Sequence, residues 1–440
     1  MYKLQNWLLS AFCKIYQFIL KQEPEKSATE FFLNILHLSV GTFFGGIILF
    51  FTTTIAGRLL TPSDYGNFSL IDSIARLLII PMSFGLTQSL IMFNSSSTII
   101  QEKKHQINTI ILLAVPIINT IIFAVFWYFS NQFAAMFKTS RTIFQFSIIF
   151  AATLNFSLIP ESYIKGIKKF KFLSLSKFFL TVILLFSFLS FYYIFKFYQF
   201  HSFVYAYLAA YISIAVISLI KYPFIGNWHF DIKTVIRVVR HGVLSLFIII
   251  AGFLLLYVDR LMLNYFHEPE SVGIYSAYAF LASIPVNIYG MIFNNVFLPT
   301  INSFTDKRQM IKKLIKIISV IVFLSLLSVS IIVYIGLNFY GNDYPLNLFM
   351  ILLFSLNSTI WINVLIFAQI IYTDEKKGII YAQMITFFGA LLNICFNYYL
   401  IQKYVYIGAI IATIMANSLM LILVLFTLKN LFFKKSKNIN

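Results

Sequence analysis

The sequence predicts an all-α polytopic membrane protein with about twelve transmembrane helices in two pseudo-symmetric six-helix bundles. Three observations predict this. Apolar residues make up 60% of the chain and charged residues only 11%, whereas soluble domains carry about 25% charged residues. So little charge cannot cover a globular surface, which leaves lipid as the solvent. Apolar runs of about 20 residues, the length that crosses a bilayer as a helix, recur along the whole chain. A short turn sequence also recurs 207 residues later, about half of the stretch that those runs together cover.

The predicted spans are 31–56, 66–92, 107–130, 142–160, 172–195, 200–220, 242–264, 273–299, 314–337, 346–371, 378–401 and 405–432. Turn and charge signals separate them, such as Thr61-Pro62-Ser63-Asp64, Gln101-Glu102-Lys103-Lys104 and Thr373-Asp374-Glu375-Lys376-Lys377-Gly378. Before the first span, Lys3, Ser10, Lys14, Gln17 and Lys21 fall on one helical stripe, and Leu4, Trp7, Leu8, Phe12, Ile15 and Ile19 cover the rest. Residues 1–30 therefore read as an amphipathic interfacial helix and hinge. The N-terminal bundle is expected over 31–220 and the C-terminal bundle over 242–432. A cytoplasmic linker, 221–241, joins them, with Lys233, Arg237 and Arg240 on a second surface helix at 230–241. A basic tail, 433–440, closes the chain.

Net charge is +18. In a soluble protein that would point to nucleic acid, but here the placement of the charge decides. With the N-terminus cytoplasmic, twenty-six of the 33 lysines and arginines fall on the inner side, for example Lys165, Lys168, Lys169, Lys171 and Lys177. Arg58, Lys138, Arg141, Lys196 and Lys403 fall outside, and Arg76 and Arg260 lie within spans. This asymmetry orients both termini to the cytoplasm of a bacterial inner membrane and draws the inner face to anionic lipid. It leaves no role for nucleic acid.

Pro62-Ser63-Asp64-Tyr65-Gly66-Asn67-Phe68-Ser69 and Pro269-Glu270-Ser271-Val272-Gly273-Ile274-Tyr275-Ser276 share the pattern Pro-x-x-x-Gly-x-aromatic-Ser. Each copy lies between the first and second helix of its half. Lys196 and Lys403 recur at the same offset. Six helices per half keep the halves in one orientation, related by an axis along the membrane normal.

Charge within a span costs about 2.5–3.5 kcal/mol on insertion scales and needs an explanation. Arg76 lies ten residues past Gly66, about 15 Å below the outer surface at 1.5 Å per residue. It either pairs with Asp72 one turn away or anchors an anionic substrate in a wet cavity, and both roles are compatible. Arg58 reads as a snorkelling interfacial arginine or a second such cation. Asp259 and Arg260 are interfacial or face the cavity. Asp72 and Asp259 are the carboxylates placed within spans to bind a coupling proton or sodium ion. Asn287, Asn357, Asn393, Asn397 and Asn417 either hydrogen-bond between helices or meet sugar hydroxyls. Gly41, Gly45 and Gly46 form a small-residue face for close packing, and Pro81, Pro116 and Pro285 favour kinks.

Cys13 and Cys395 imply no disulfide framework. No phosphate-binding loop, His-Glu-x-x-His, Cys-x-x-Cys or Gly-x-Ser-x-Gly pattern is present, so no cofactor and no enzyme of those classes is expected. Outer loops are short, at most about ten residues. They offer little room for the catalytic groups of a membrane-embedded glycan polymerase or ligase.

Gly57-Arg58-Leu59-Leu60-Thr61-Pro62-Ser63-Asp64-Tyr65-Gly66-Asn67-Phe68-Ser69, followed by Phe84-Gly85-Leu86, resembles the first two helices of the polysaccharide exporter (Wzx-type flippase) family. So does Asp259 with Glu268 to Ser276 and Pro299. Leu392-Asn393 and Asn397, followed by Tyr406-Ile407-Gly408-Ala409-Ile410-Ile411-Ala412-Thr413, resemble its last two helices. This family belongs to the superfamily of multidrug, oligosaccharide-lipid and polysaccharide exporters. The resemblance implies two bundles rocking about a central cavity. It implies a polyprenyl-diphosphate-linked oligosaccharide, such as an O-antigen or capsule repeat unit, moved to the outer leaflet. It also places cations in the first, second and seventh helices, where Arg58, Arg76 and Arg260 stand. A multidrug exporter of the same superfamily is the alternative, and glycan polymerase or ligase machinery would be a downstream partner.

Overall fold

In a computed structural model, residues 26–224, 231–292, 307–374 and 377–433 are described. The interfacial helix expected at the N-terminus and the basic tail therefore lie outside the described residues, as does Pro299. The described residues are almost wholly helical: α1 (Lys26–Leu59), α2 (Pro62–Ser83), α3 (Leu86–Ser95), α4 (Gln101–Tyr128), α5 (Ser130–Met136), α6 (Arg141–Gly166) and α7 (Phe170–Leu189). They continue as α8 (Phe200–Lys221), α9 (Ile232–Phe266), α10 (Pro269–Ile292), α11 (Lys307–Tyr340), α12 (Leu348–Tyr372) and α13 (Gly378–Leu428).

Among the described residues ten helices are long and apolar enough to cross a membrane. Two local features complete the expected twelve crossings. First, the second span is broken. Phe84 (φ 49) and Gly85 (φ 68) both adopt left-handed backbone, and α2 and α3 meet at 63°. The sequence reading had run 66–92 as one helix; two successive left-handed residues end it. Second, α13 is two antiparallel spans. Val405 has non-helical φ 51 and ψ −130. The chain folds back there, so that Asn393 donates to Thr413 at 3.3 Å and Gly389 packs against Met420.

A third difference concerns the linker. Residues from 232 onward do not form a separate surface helix, because α9 runs unbroken from Ile232 to Phe266. At about 1.5 Å per residue it is far longer than the ~30 Å hydrocarbon layer, so its first turns, with Lys233, Arg237 and Arg240, extend past the apolar span. Asp231 caps it, accepting from the Lys233 amide at 3.0 Å and the Thr234 hydroxyl at 3.2 Å. The Lys233 hydrogen bond holds the Asp231 carboxyl below its usual range.

The two halves repeat one packing plan. α1 lies along α7, and α9, the first helix of the second half, lies along α13. Likewise α2 packs on α6 as α10 packs on α12. The halves meet chiefly through α2 against α10 and α9. The repeated turn sequences are that contact. A methyl on Gly66 would overlap the Pro269 carbonyl, and one on Gly273 would overlap the Pro62 carbonyl. Only glycine admits this reciprocal approach, which explains why Pro-x-x-x-Gly occurs twice. The same end is filled by aromatics. The hydroxyls of Tyr65 and Tyr340 lie 3.2 Å apart, and Tyr344 stands edge-on to both rings.

Of the small residues in α1, Gly41 abuts Ser174, whose hydroxyl accepts from the Gly41 amide at 3.0 Å. Gly45 lies against the Lys177 carbonyl and Thr181, while nothing stands over Gly46. Two of the three glycines form the expected seam with α7, and the third faces open space.

Candidate substrate cavity and buried carboxylate cluster

A cavity of about 1300 Å³ lies between the halves, walled by α1, α2, α7, α8 and α9 to α13. It is capped by Tyr65 and Phe68 and runs toward Ile288, Gly290 and Met291. Asp72, Arg76, Lys177, Asp259 and Arg260 are the charged residues lining it among those described.

Arg76 projects from α2. Its Nε donates to Asp72 Oδ1 at 3.1 Å, with the arginine side chain 36% and the aspartate 23% exposed. Both readings of Arg76 are therefore compatible with the geometry: the pair forms through Nε, while the terminal nitrogens have no hydrogen-bond partner among the described residues. Arg260 donates through Nε to Ser276 Oγ at 3.0 Å and through Nη1 to the Leu256 carbonyl at 2.9 Å. Both guanidinium groups lie over one ring, with Arg76 Cζ 5.3 Å and Arg260 Cζ 5.5 Å from the centre of Tyr257. The negative face of a phenol attracts cations, so Tyr257 holds together two groups that would otherwise repel. Sequence reasoning missed Tyr257, although it precedes Arg260 by three residues, the spacing of one helical face.

Asp259 is 4% exposed. Its Oδ2 accepts from Tyr275 at 2.5 Å and from Thr413 at 3.0 Å, and its Oδ1 accepts from Asn397 at 2.5 Å. Asn397 also donates to Asn393 at 3.0 Å. α10 and both arms of α13 thus converge on one carboxylate of α9 whose ligands are neutral donors. Asn397 Oδ1 is buried without a partner. Asn393 and Asn397, expected among the substrate-binding residues, are fully buried and do not line the cavity. Their amides are consumed within this cluster. Tyr275 and Thr413 had no site role in the sequence reading, though both lie within its quoted motifs.

Asn287 is exposed to the cavity. Arg58 is exposed at the last turn of α1 and does not line the cavity. Lys177, read only as a topology charge, lines the cavity, with its ammonium 2.8 Å from Glu161, which also holds Lys165 at 2.7 Å.

The family model described as polysaccharide biosynthesis protein matches residues 55–337. The chain belongs to this family. No curated protein matches it. Among solved structures, the lipid II flippase MurJ in an inward closed conformation is similar over 89% of this chain and 87% of its own, with TM-score 0.69 and 15% identity. An inward-facing multidrug-resistance MATE transporter of the MOP superfamily is similar over 89% and 95%, with TM-score 0.59 and 11% identity. A MOP-superfamily transporter from Pyrococcus furiosus is similar over 93% and 99%, with TM-score 0.57 and 13% identity. These likenesses carry the fold alone: a polytopic helical membrane protein of two bundles.

Proposed function

We propose that this polysaccharide biosynthesis protein is a flippase. It moves a polyprenyl-diphosphate-linked oligosaccharide, such as an O-antigen or capsule repeat unit, from the cytoplasmic to the outer leaflet by alternating access. The observation that carries the reading is the pair of arginines on Tyr257, in a cavity at membrane depth. A dianionic diphosphate is matched by Arg76 and Arg260, whose fork geometry suits phosphate oxygens. The lipid tail stays in the bilayer. The MurJ neighbour, by its name a flippase of lipid II, supports the same class of cargo.

The Asp259 cluster is the coupling site in this reading. A carboxylate surrounded by Tyr275, Asn397 and Thr413, with Asn397 Oδ1 unmatched, suits a proton or a sodium ion. Asp72 instead pairs with Arg76 through Nε and competes with the phosphate for it. The protein sits in the inner membrane with both termini cytoplasmic, and the bundles are the moving bodies. The MATE-like fold is equally compatible with a multidrug exporter. That reading calls for carboxylates free to meet a cationic drug, whereas Asp72 is paired and Asp259 is enclosed.

The test is replacement of Arg76 by Ala in the source bacterium, with protein level followed by immunoblot. The expected result is loss of surface polysaccharide at normal expression. Intact glycan together with increased drug sensitivity on deletion would replace this function with the multidrug alternative.

A further inference from the structure

The cavity wall contributed by the C-terminal half has a different chemistry from the arginine wall. On α12, Asn357 and Trp361 are one turn apart and share a face, and Ser358 lies between them. From the second arm of α13, Asn417 Nδ2 donates to Asn357 Oδ1 at 2.9 Å. Asn287 of α10 completes the wall. All five line the cavity.

These groups are arranged for use from the cavity side. Trp361 is half-buried, resting on the apolar cluster around Ile362, Ile366 and Ala390 while still reaching the cavity. Asn287 is exposed and has no hydrogen-bond partner among the described residues, and the same holds for the Asn357 amide nitrogen. Amides at membrane depth cost free energy unless they are satisfied. Those from α12 and α13 on this wall stand beside an indole rather than a charge: Phe354, Leu365 and Thr413 are the other lining residues of those helices, and none is ionisable.

We propose that Asn357, Trp361, Asn417 and Asn287 form a glycan subsite for uncharged sugar residues next to the diphosphate. An indole offers a flat apolar face to the C–H side of a pyranose ring. The amides offer paired donors and acceptors to its hydroxyl or acetamido groups. The absence of charge selects neutral or N-acetylated hexoses over uronic acids. This inference rests on the lipid-diphosphate reading and adds where the sugar lies.

The experiment measures binding of undecaprenyl diphosphate and of undecaprenyl-diphosphate-N-acetylglucosamine to the full-length protein in nanodiscs. Wild type should bind the sugar-bearing probe about tenfold more tightly, a difference of one good polar or ring contact. Trp361→Ala should erase that advantage and leave affinity for the bare diphosphate unchanged, and Trp361→Phe should restore part of it. Should Trp361→Ala fail to fold, Asn287→Ala decides, with a smaller loss confined to the sugar-bearing probe. Arg76→Ala should weaken both probes. Equal wild-type affinities for the two probes, or a Trp361 or Asn287 variant that weakens both alike, would overturn the subsite. Failure of wild type to bind either probe would instead overturn the lipid-diphosphate reading, and the subsite with it.

Discussion

Asp72 and Asp259 are both aspartates beside an arginine in a membrane-spanning helix, yet they occupy opposite environments. Asp72 faces the cavity and is ion-paired to Arg76. Asp259 is enclosed by Tyr275, Asn397 and Thr413, with the Arg260 guanidinium turned away to Ser276 and Leu256. The difference shows that sequence adjacency does not make an ion pair in a helix. Residues one turn apart share a face, whereas neighbours diverge by about 100°. One carboxylate tunes a cation on a wet wall. The other is nearly buried at the cavity wall, its oxygens taken by neutral donors.

The contrast breaks most severely at Asp259. Asp259→Leu leaves the Tyr275 hydroxyl without an acceptor, at about 1–3 kcal/mol, and takes one acceptor from Asn397 and Thr413, which keep Asn393 and the Ala409 carbonyl. Thermal unfolding in detergent should show a loss of about 3 kcal/mol, and Asp259→Asn should recover much of it. A leucine variant as stable as wild type would mean that the cluster does not hold α9, α10 and α13 together. Second in size is Gly66→Ala, which forces α2 off α10; overpacking of this kind costs about 1–3 kcal/mol. Since Gly66 and Gly273 share one contact, the double alanine variant should cost less than the sum of the singles.

Smaller effects sharpen the wet side. Asp72→Asn should shift stability by under ~1 kcal/mol, as for a solvent-reached ion pair, while tightening undecaprenyl diphosphate binding because Arg76 is released. Weaker binding in that variant would show that Asp72 positions Arg76 rather than competing for it. Smallest is Gly46→Ala, within ~0.5 kcal/mol, since nothing stands over Gly46. Gly41→Ala in the same helix, pressed on Ser174, should be clearly destabilising.

The fold was legible because lipid imposes a simple rule: apolar length counts spans. The repeat was also legible, because a contact that only glycine permits leaves the same residues at both copies. The break at Phe84-Gly85 and the unbroken start of α9 escaped a reading by hydropathy, which registers composition and not backbone dihedrals. Arg76, Arg260 and Asp259 could be singled out because charge in a span is costly. Tyr257, Tyr275 and Thr413 could not, since a tyrosine or threonine in an apolar helix is cheap and common. Asn393 and Asn397 were visible as polar residues, but their burial against Asp259 depends on the reversal at Val405.

The most direct measurement is the rate at which the purified protein moves an undecaprenyl-diphosphate-linked oligosaccharide across the bilayer of proteoliposomes. Wild type should accelerate the movement, and a folded Arg76→Ala, Arg260→Ala double variant should fall to the rate of protein-free vesicles. Equal rates for wild type and the double variant would contradict the role of the arginine pair on Tyr257.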